Sequence, residues 1–153
     1  MQFNKLGGSD LSVSDICLGT MTWGIQNTQQ DADEQLAMAI EHGVNFIDTA
    51  EMYPVPPNDK TYGDTERILG NWLARNQSSR DSLVIMTKVA GSGLSYIREG
   101  GPITASAVET ALNDSLSRLN TDYVDVYQLH WPNRVTPHFG KHWPDRTNPT
   151  KID

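Results

Sequence analysis

The chain has 153 residues, of which 37% are hydrophobic and 20% are charged, a composition typical of a soluble globular domain with one core. Its formal net charge of −7 argues against nucleic acid and anionic membrane surfaces as partners, because both bind basic faces. No stretch approaches the ~20 apolar residues of a membrane span, and no signal peptide is recognisable, so we expect a cytoplasmic protein. Cys17 is the only cysteine, which excludes an internal disulfide, and its apolar neighbours predict a buried side chain.

The beginning of the chain predicts a β-hairpin followed by a strand. Residues 1–14 contain two short extended runs around a glycine-rich connection at Gly7 and Gly8. The next strand is expected at 16–20, where Gly19 would let a ligand or another backbone approach closely.

A helix and a second strand follow and end at an acidic residue. Capping-box spacing predicts that the helix opens at Asp31, and Gly43 is suited to the left-handed residue that ends it. Val44–Ile47 is short, β-branched and aromatic, as expected for a buried strand. Asp48 then stands at the exit of this strand, where parallel α/β proteins place functional groups.

The middle of the chain repeats the alternation of strand, loop and helix. Tyr53 is followed by a proline-rich loop at 54–57, so it lies on a connection rather than inside an element. A second helix starts at Gly63. The apolar run Leu83–Thr87 predicts a strand covered on both faces, and it ends on Lys88.

The last predicted unit is a helix and a strand that ends on a histidine. The helix opens near Ser106 and carries an apolar stripe that predicts core packing: Val108, Leu112, Leu116 and Leu119. The strand covers 123–129 and ends on His130. We expect β/α units across 15–132 in a parallel sheet with right-handed crossovers, and a loop or disordered end at 133–153.

Four ionisable groups are therefore expected at one rim of the sheet. Each of Asp48, Lys88 and His130 alone could be a turn former, a solvated charge or a satisfied core group. Together with Tyr53 they fit carbonyl reduction: a lysine would lower the phenol's pKa, a carboxylate would orient the lysine, and a neutral imidazole would bind the substrate oxygen. No residue spacing suggests a metal site.

Five segments, in order and over about residues 1–140, resemble the aldo-keto reductases, most closely the branch related to potassium-channel β-subunits. They are Gly19–Thr22, Phe46–Tyr53, Gly63–Glu66 followed by Gly70, Thr87–Lys88, and Asp122–Pro132. The resemblance implies a (β/α)₈ barrel, NADPH as cofactor and a small aldehyde or ketone as substrate. It also implies a catalytic tetrad in which Tyr53 donates the proton, formed with Asp48, Lys88 and His130.

The resemblance further implies the binding residues. The cofactor would contact Gly19, Thr20, Met21, Thr22 and Asp48. The substrate would contact Trp23, Tyr53, His130 and Trp131. As apolar side chains, Trp23, Trp131 and Trp143 could line a pocket, although aromatic residues near a barrel mouth are as often part of the core packing.

Such barrels need roughly 250 residues, so we expect the chain to be an amino-terminal half, truncated in or before the loop leading to a fourth helix. It would comprise the hairpin, four parallel strands and three helices. Its inner face, formed by Ile16, Ile47, Ile85 and Val126 or by their alternating neighbours, and its open edges predict self-association.

Two other functions stay open at this point. The chain could be a reductase-like binding or regulatory module without catalysis. A hydrolase using Asp48 and Glu51 is the weaker alternative, because both carboxylates lie on one loop rather than across a substrate from each other.

Overall fold

The computed structural model describes residues 1–133, and the predictions for the rest of the chain, Trp143 among them, lie outside this part. The elements are β1 (Phe3–Lys5), β2 (Ser12–Ser14), β3 (Cys17–Gly19), α1 (Gln29–Glu41), β4 (Phe46–Asp48), α2 (Asp64–Arg75), β5 (Val84–Val89), α3 (Ala105–Leu119) and β6 (Val126–Leu129). Short 3₁₀ helices lie at Gln77–Ser82 and Arg98–Gly100. None of the helices described here is long and apolar enough to cross a membrane.

The sheet topology confirms the predicted architecture. β1 and β2 form an antiparallel hairpin, and the other strands form one parallel sheet in the order β3-β4-β5-β6. Each parallel pair is connected through a helix, which is the amino-terminal half of a (β/α)₈ barrel: a hairpin, four parallel strands and three helices.

α1 begins earlier than the sequence predicted. Its N-cap is Thr28, whose hydroxyl accepts a hydrogen bond from the Asp31 backbone at 3.2 Å while the Asp31 carboxylate accepts from the Thr28 backbone at 2.7 Å. The predicted capping box is therefore present, but its N-cap lies three residues before the predicted one, and Asp31 is the N3 residue rather than the N-cap. Gly43 ends the helix with φ of 84°, as predicted.

The main core lies between the sheet and the helices. Ile47 and Ile85 have no exposed surface and pack under the helices with Leu36 and Leu69. Because side chains alternate along a strand, their neighbours, including Phe46 and Asp48, lie on the opposite face. Neither of the two sets proposed for the inner face lies there as a whole: the alternating neighbours of Ile47 and Ile85 do, and so does Val126, which pairs in register with Met86.

α2 and α3 pack closely because a glycine faces the second helix. A Cβ on Gly70 would lie 2.8 Å from the carbonyl carbon of Leu119 and would overlap the carbonyl oxygen of Arg118. Next to this contact, the buried Glu66 carboxylate accepts hydrogen bonds from Thr87 Oγ1 at 2.5 Å and Arg118 Nε at 2.7 Å. The Glu66 carboxylate thus joins α2 to α3 by an ion pair and to β5, the strand that carries Lys88, by a hydrogen bond.

The expectation that Cys17 is buried was wrong. Cys17 is exposed because it lies on β3, which has only β4 as a neighbour among the described strands. Partial burial of the thiol and the nearby Asp48 carboxylate raise the pKa of Cys17 to about 11. The thiol therefore stays protonated at neutral pH and is a poor nucleophile.

Candidate active site

The sheet brings three predicted site residues to one edge. Asp48 ends β4, Lys88 lies near the end of β5, and His130 directly follows β6. These strands are neighbours, and their register pairs Asp48 with Met86 and Lys88 with Gln128. The polar groups consequently meet at the carboxyl ends of the strands, as the sequence predicted.

A buried ion pair anchors the site. Lys88 Nζ lies 2.5 Å from Asp48 Oδ1 and donates a second hydrogen bond to the Thr49 carbonyl at 2.8 Å. Lys88 is only 8% exposed, so this ammonium group is shielded from water and has two fixed acceptors. Its position is set by β4 and the start of the following loop.

Tyr53 lies against the ammonium group of Lys88. The Nζ atom is 4.9 Å from the centre of the Tyr53 ring, and the ring is almost buried. Burial, with a further contribution from the Asp48 carboxylate, raises the pKa of Tyr53 to about 12. The prediction that Lys88 lowers this pKa was therefore wrong, because the lysine charge lies over the ring face and is paired with Asp48.

His130 completes the group. Its ring packs edge to face on Tyr53 with centroids 5.5 Å apart, and its backbone N–H donates to the Val89 carbonyl at 2.9 Å. Burial and the Lys88 charge lower the pKa of His130 to about 4, so the imidazole is neutral at physiological pH. Its Nδ1 is buried and has no hydrogen-bond partner among residues 1–133.

The Gly19–Thr22 segment borders Asp48 but contributes unequally. Thr20 donates two hydrogen bonds to the Asp48 carbonyl, from its N–H at 3.1 Å and its hydroxyl at 2.8 Å. Gly19 faces open space, since a Cβ there would meet nothing within 4 Å. Met21 is exposed and its carbonyl accepts a hydrogen bond from the Val55 N–H, whereas the Thr22 hydroxyl donates to Asn27 Oδ1 within its own turn.

The two candidate tryptophans have different positions. Trp23 has no exposed surface, belongs to the main core and donates from Nε1 to Gln35 at 2.8 Å. This placement differs from the expected one, because a fully buried side chain does not line an open pocket. Trp131 lies next to His130 with ring centroids 5.2 Å apart, and its indole covers Gly91, where a Cβ would overlap it.

Sequence reasoning missed a second buried ion pair at this rim. Glu51 is 2% exposed, and its carboxylate accepts from both terminal nitrogens of Arg98 at 2.7 Å and from the Ala90 N–H. This use of the carboxylate argues against the alternative hydrolase. The partners are 47 residues apart, and no local pattern indicates the pair.

No group of three or more His, Cys, Asp or Glu residues within the described 133 could hold a metal ion. The ionisable groups that meet at the rim are a protonated phenol, a neutral imidazole and a paired lysine. Those three groups can bind a substrate oxygen and supply a proton to it.

Comparisons with known proteins place the chain in a family. The sequence model described as Aldo/keto reductase family matches residues 15–150. The chain is 48% identical over 151 residues to "Protein tas" of Escherichia coli (strain K12), covering 97% of this chain and 43% of that protein. It is 34% identical over 143 residues to "Uncharacterized oxidoreductase YrpG" of Bacillus subtilis (strain 168), covering 90% of this chain and 42% of that protein. The chain thus spans less than half the length of these relatives, and it belongs to the aldo/keto reductase family.

Proposed function

We propose that this chain carries the proton-transfer half of an NADPH-dependent reductase that converts aldehydes or ketones to alcohols. The observation that supports this most is the convergence of Tyr53, Lys88, Asp48 and His130 at the ends of three neighbouring strands. Membership of an oxidoreductase family agrees with this chemistry.

In the proposed reaction Tyr53 is the proton donor. Its pKa of about 12 keeps the hydroxyl protonated at neutral pH, so the proton is available for transfer, and the Lys88 ammonium group lies 4.9 Å from the centre of the ring. Asp48 keeps the lysine in place through the 2.5 Å ion pair. The neutral His130 imidazole would hydrogen-bond the substrate oxygen as negative charge develops there.

The described residues fit one end of a nicotinamide cofactor. Gly19 leaves open space beside the Asp48 exit, so a flat ring could lie there without meeting a side chain. When bound, the nicotinamide would supply the hydride. Thr20 would support this surface indirectly, because both its hydrogen bonds hold the Asp48 backbone.

The remaining cofactor contacts are expected in the part of the family that this chain does not cover. Barrel enzymes commonly bind phosphate with the loops after strands seven and eight, and the chain matches only 43% of protein tas. We therefore propose that residues 1–153 alone bind NADPH weakly and turn over negligibly. Loss of near-attack geometry can remove about 7 to 11 kcal/mol of barrier lowering, which exceeds the contribution of a single side chain.

The test joins this chain to the carboxyl-terminal part of E. coli protein tas. NADPH binding is followed by fluorescence and turnover by NADPH oxidation with 4-nitrobenzaldehyde. We expect turnover from the joined protein, and a loss of roughly 10²- to 10⁴-fold in Tyr53→Phe with NADPH affinity unchanged, because only the proton donor is removed.

Two outcomes would contradict the proposal. A joined protein that binds NADPH but reduces no aldehyde or ketone would favour the non-catalytic binding module. A Tyr53→Phe protein with near-parental turnover would show that another group donates the proton.

A further inference from the structure

The Glu51–Arg98 ion pair connects the loop that carries Tyr53 to the strand that carries Lys88. Glu51 is two residues before Tyr53, and its N–H donates to the Lys88 carbonyl at 3.3 Å. Its carboxylate accepts from the Ala90 N–H, two residues beyond Lys88. The same glutamate is therefore bonded to Lys88 through its backbone and to Ala90 through its side chain.

Arg98 makes this connection rigid. Its two terminal nitrogens each lie 2.7 Å from one carboxylate oxygen of Glu51, and Nη2 also donates to the Ala90 carbonyl at 2.9 Å. A bidentate guanidinium pair fixes both the distance and the plane of a carboxylate. Glu51, Ala90 and Arg98 thus form a closed set of contacts, which we name the rim clamp.

The backbone at Arg98 is unusual for residues with side chains. Arg98 has φ of 45° and Glu99 has φ of 56°, both in the left-handed region that few non-glycine residues adopt. Such conformations persist where the surroundings enforce them, and here the clamp holds the Arg98 side chain. Tyr53 itself lies on the loop between β4 and α2, where its backbone bonds to loop residues, Ala50 and Gly63, and its ring packs beside Ala90.

We infer that the rim clamp is a positioning device, in which Glu51 and Arg98 set the position of the Tyr53 ring relative to the Lys88 ammonium group. Neither residue transfers a proton or contacts the Lys88 Nζ atom. The expected effect on kcat rests on the proposed reduction. The expected effect on the stability of the Tyr53 loop does not, and it can be measured separately.

The chain contains a matched control at the other end of β5. Asp125 pairs with Arg80 at 2.8 Å and accepts the Ile85 N–H at 2.9 Å, so it also combines a buried ion pair with a β5 backbone amide. The side chains of this pair are 10% and 14% exposed. Asp125→Asn therefore removes a similar interaction without touching the loop of Tyr53.

The kinetic experiment compares Glu51→Gln and Asp125→Asn in the joined protein, with rates normalised to folded protein. We expect kcat of Glu51→Gln to fall about 10- to 100-fold, since misplacement by about 1 Å can cost this much, with KM and NADPH affinity within about threefold. Arg98→Gln should show the same loss, and the double variant should be no worse than either single variant. Asp125→Asn should lower stability and leave kcat unchanged.

A second readout does not depend on activity. Backbone hydrogen exchange should accelerate at residues 49–63 in Glu51→Gln, and this segment should stay protected in Asp125→Asn. If the parent protein is inactive, the proposed function fails, and exchange alone decides the inference: faster exchange supports it and unchanged exchange overturns it. With an active parent, a Glu51→Gln kcat within twofold of the parent value overturns the inference and leaves the proposed function standing.

Discussion

Gly70→Ala tests the close packing between α2 and α3, the two helices that flank β5 in the chain. Helix propensity alone predicts a gain of about 1 kcal/mol for replacing glycine by alanine inside a helix. The structure predicts a loss, because the new Cβ would lie 2.8 and 2.9 Å from backbone atoms of Leu119, whereas carbon atoms prefer about 3.5 to 4.0 Å. The neighbour is backbone, so the helices must separate by roughly 1 Å.

Overpacking of this kind costs typically about 1–3 kcal/mol, occasionally more, and the cost here belongs at the upper end because no flexible side chain can move aside. After the propensity gain is subtracted, we expect a net loss of about 2 kcal/mol. Urea unfolding followed by circular dichroism should show a midpoint lower by roughly 1 M. Gly8→Ala is the control, since a Cβ there meets nothing within 4 Å and φ is not positive. A stabilised Gly70→Ala protein would refute the packing argument by its sign.

The remaining predictions concern the site and the open sheet. In the joined protein, kcat/KM should be nearly constant from about pH 5 to pH 10, because Tyr53 with a pKa of about 12 keeps its proton and His130 with a pKa of about 4 stays neutral. A decline at the acid end of that range would contradict the lowered pKa of His130, and a decline at the alkaline end would contradict the raised pKa of Tyr53. Lys88→Met should reduce turnover by roughly 10²-fold or more, because it also leaves the Asp48 carboxylate without its ion-pair partner. Stopped-flow measurement of NADPH oxidation tests this, and a rate close to that of the parent protein would show that the lysine is dispensable. The 153-residue chain alone should self-associate through β3 and β6, each of which has one neighbour in the described sheet, and sedimentation of a compact monomer would exclude this.

Much of the fold could be predicted because strands, helices and their order leave local signals. The exits at Asp48, Lys88 and His130 were found because each follows an apolar run, and the parallel sheet then brings them together. The start of α1 was placed late because two residues, Thr28 and Asp31, share one capping box and either can be mistaken for its first member.

The electrostatics of the site could not be predicted from residue types. A lysine near a tyrosine suggests a lowered pKa, but the outcome depends on where the charge lies and what else binds it. Lys88 is paired with Asp48 and lies over the Tyr53 ring, so burial dominates and the pKa rises. Trp23 likewise precedes an exposed glycine in the sequence, yet its side chain is fully buried by contacts that only the folded chain defines.

Several contacts that arrange Tyr53, Lys88 and His130 lie within the described part of the chain. Asp48 holds Lys88, Val89 holds the backbone of His130, and the rim clamp connects the loop of Tyr53 to β5. These bonds join residues of the described sheet and its loops, so this part of the chain already brings the phenol, the lysine and the imidazole together. Completion of the barrel would then contribute mainly cofactor affinity and exclusion of water. We therefore expect the two perturbations to impair the reaction in separable ways: Tyr53→Phe should lower kcat, and loss of the second half should weaken NADPH binding.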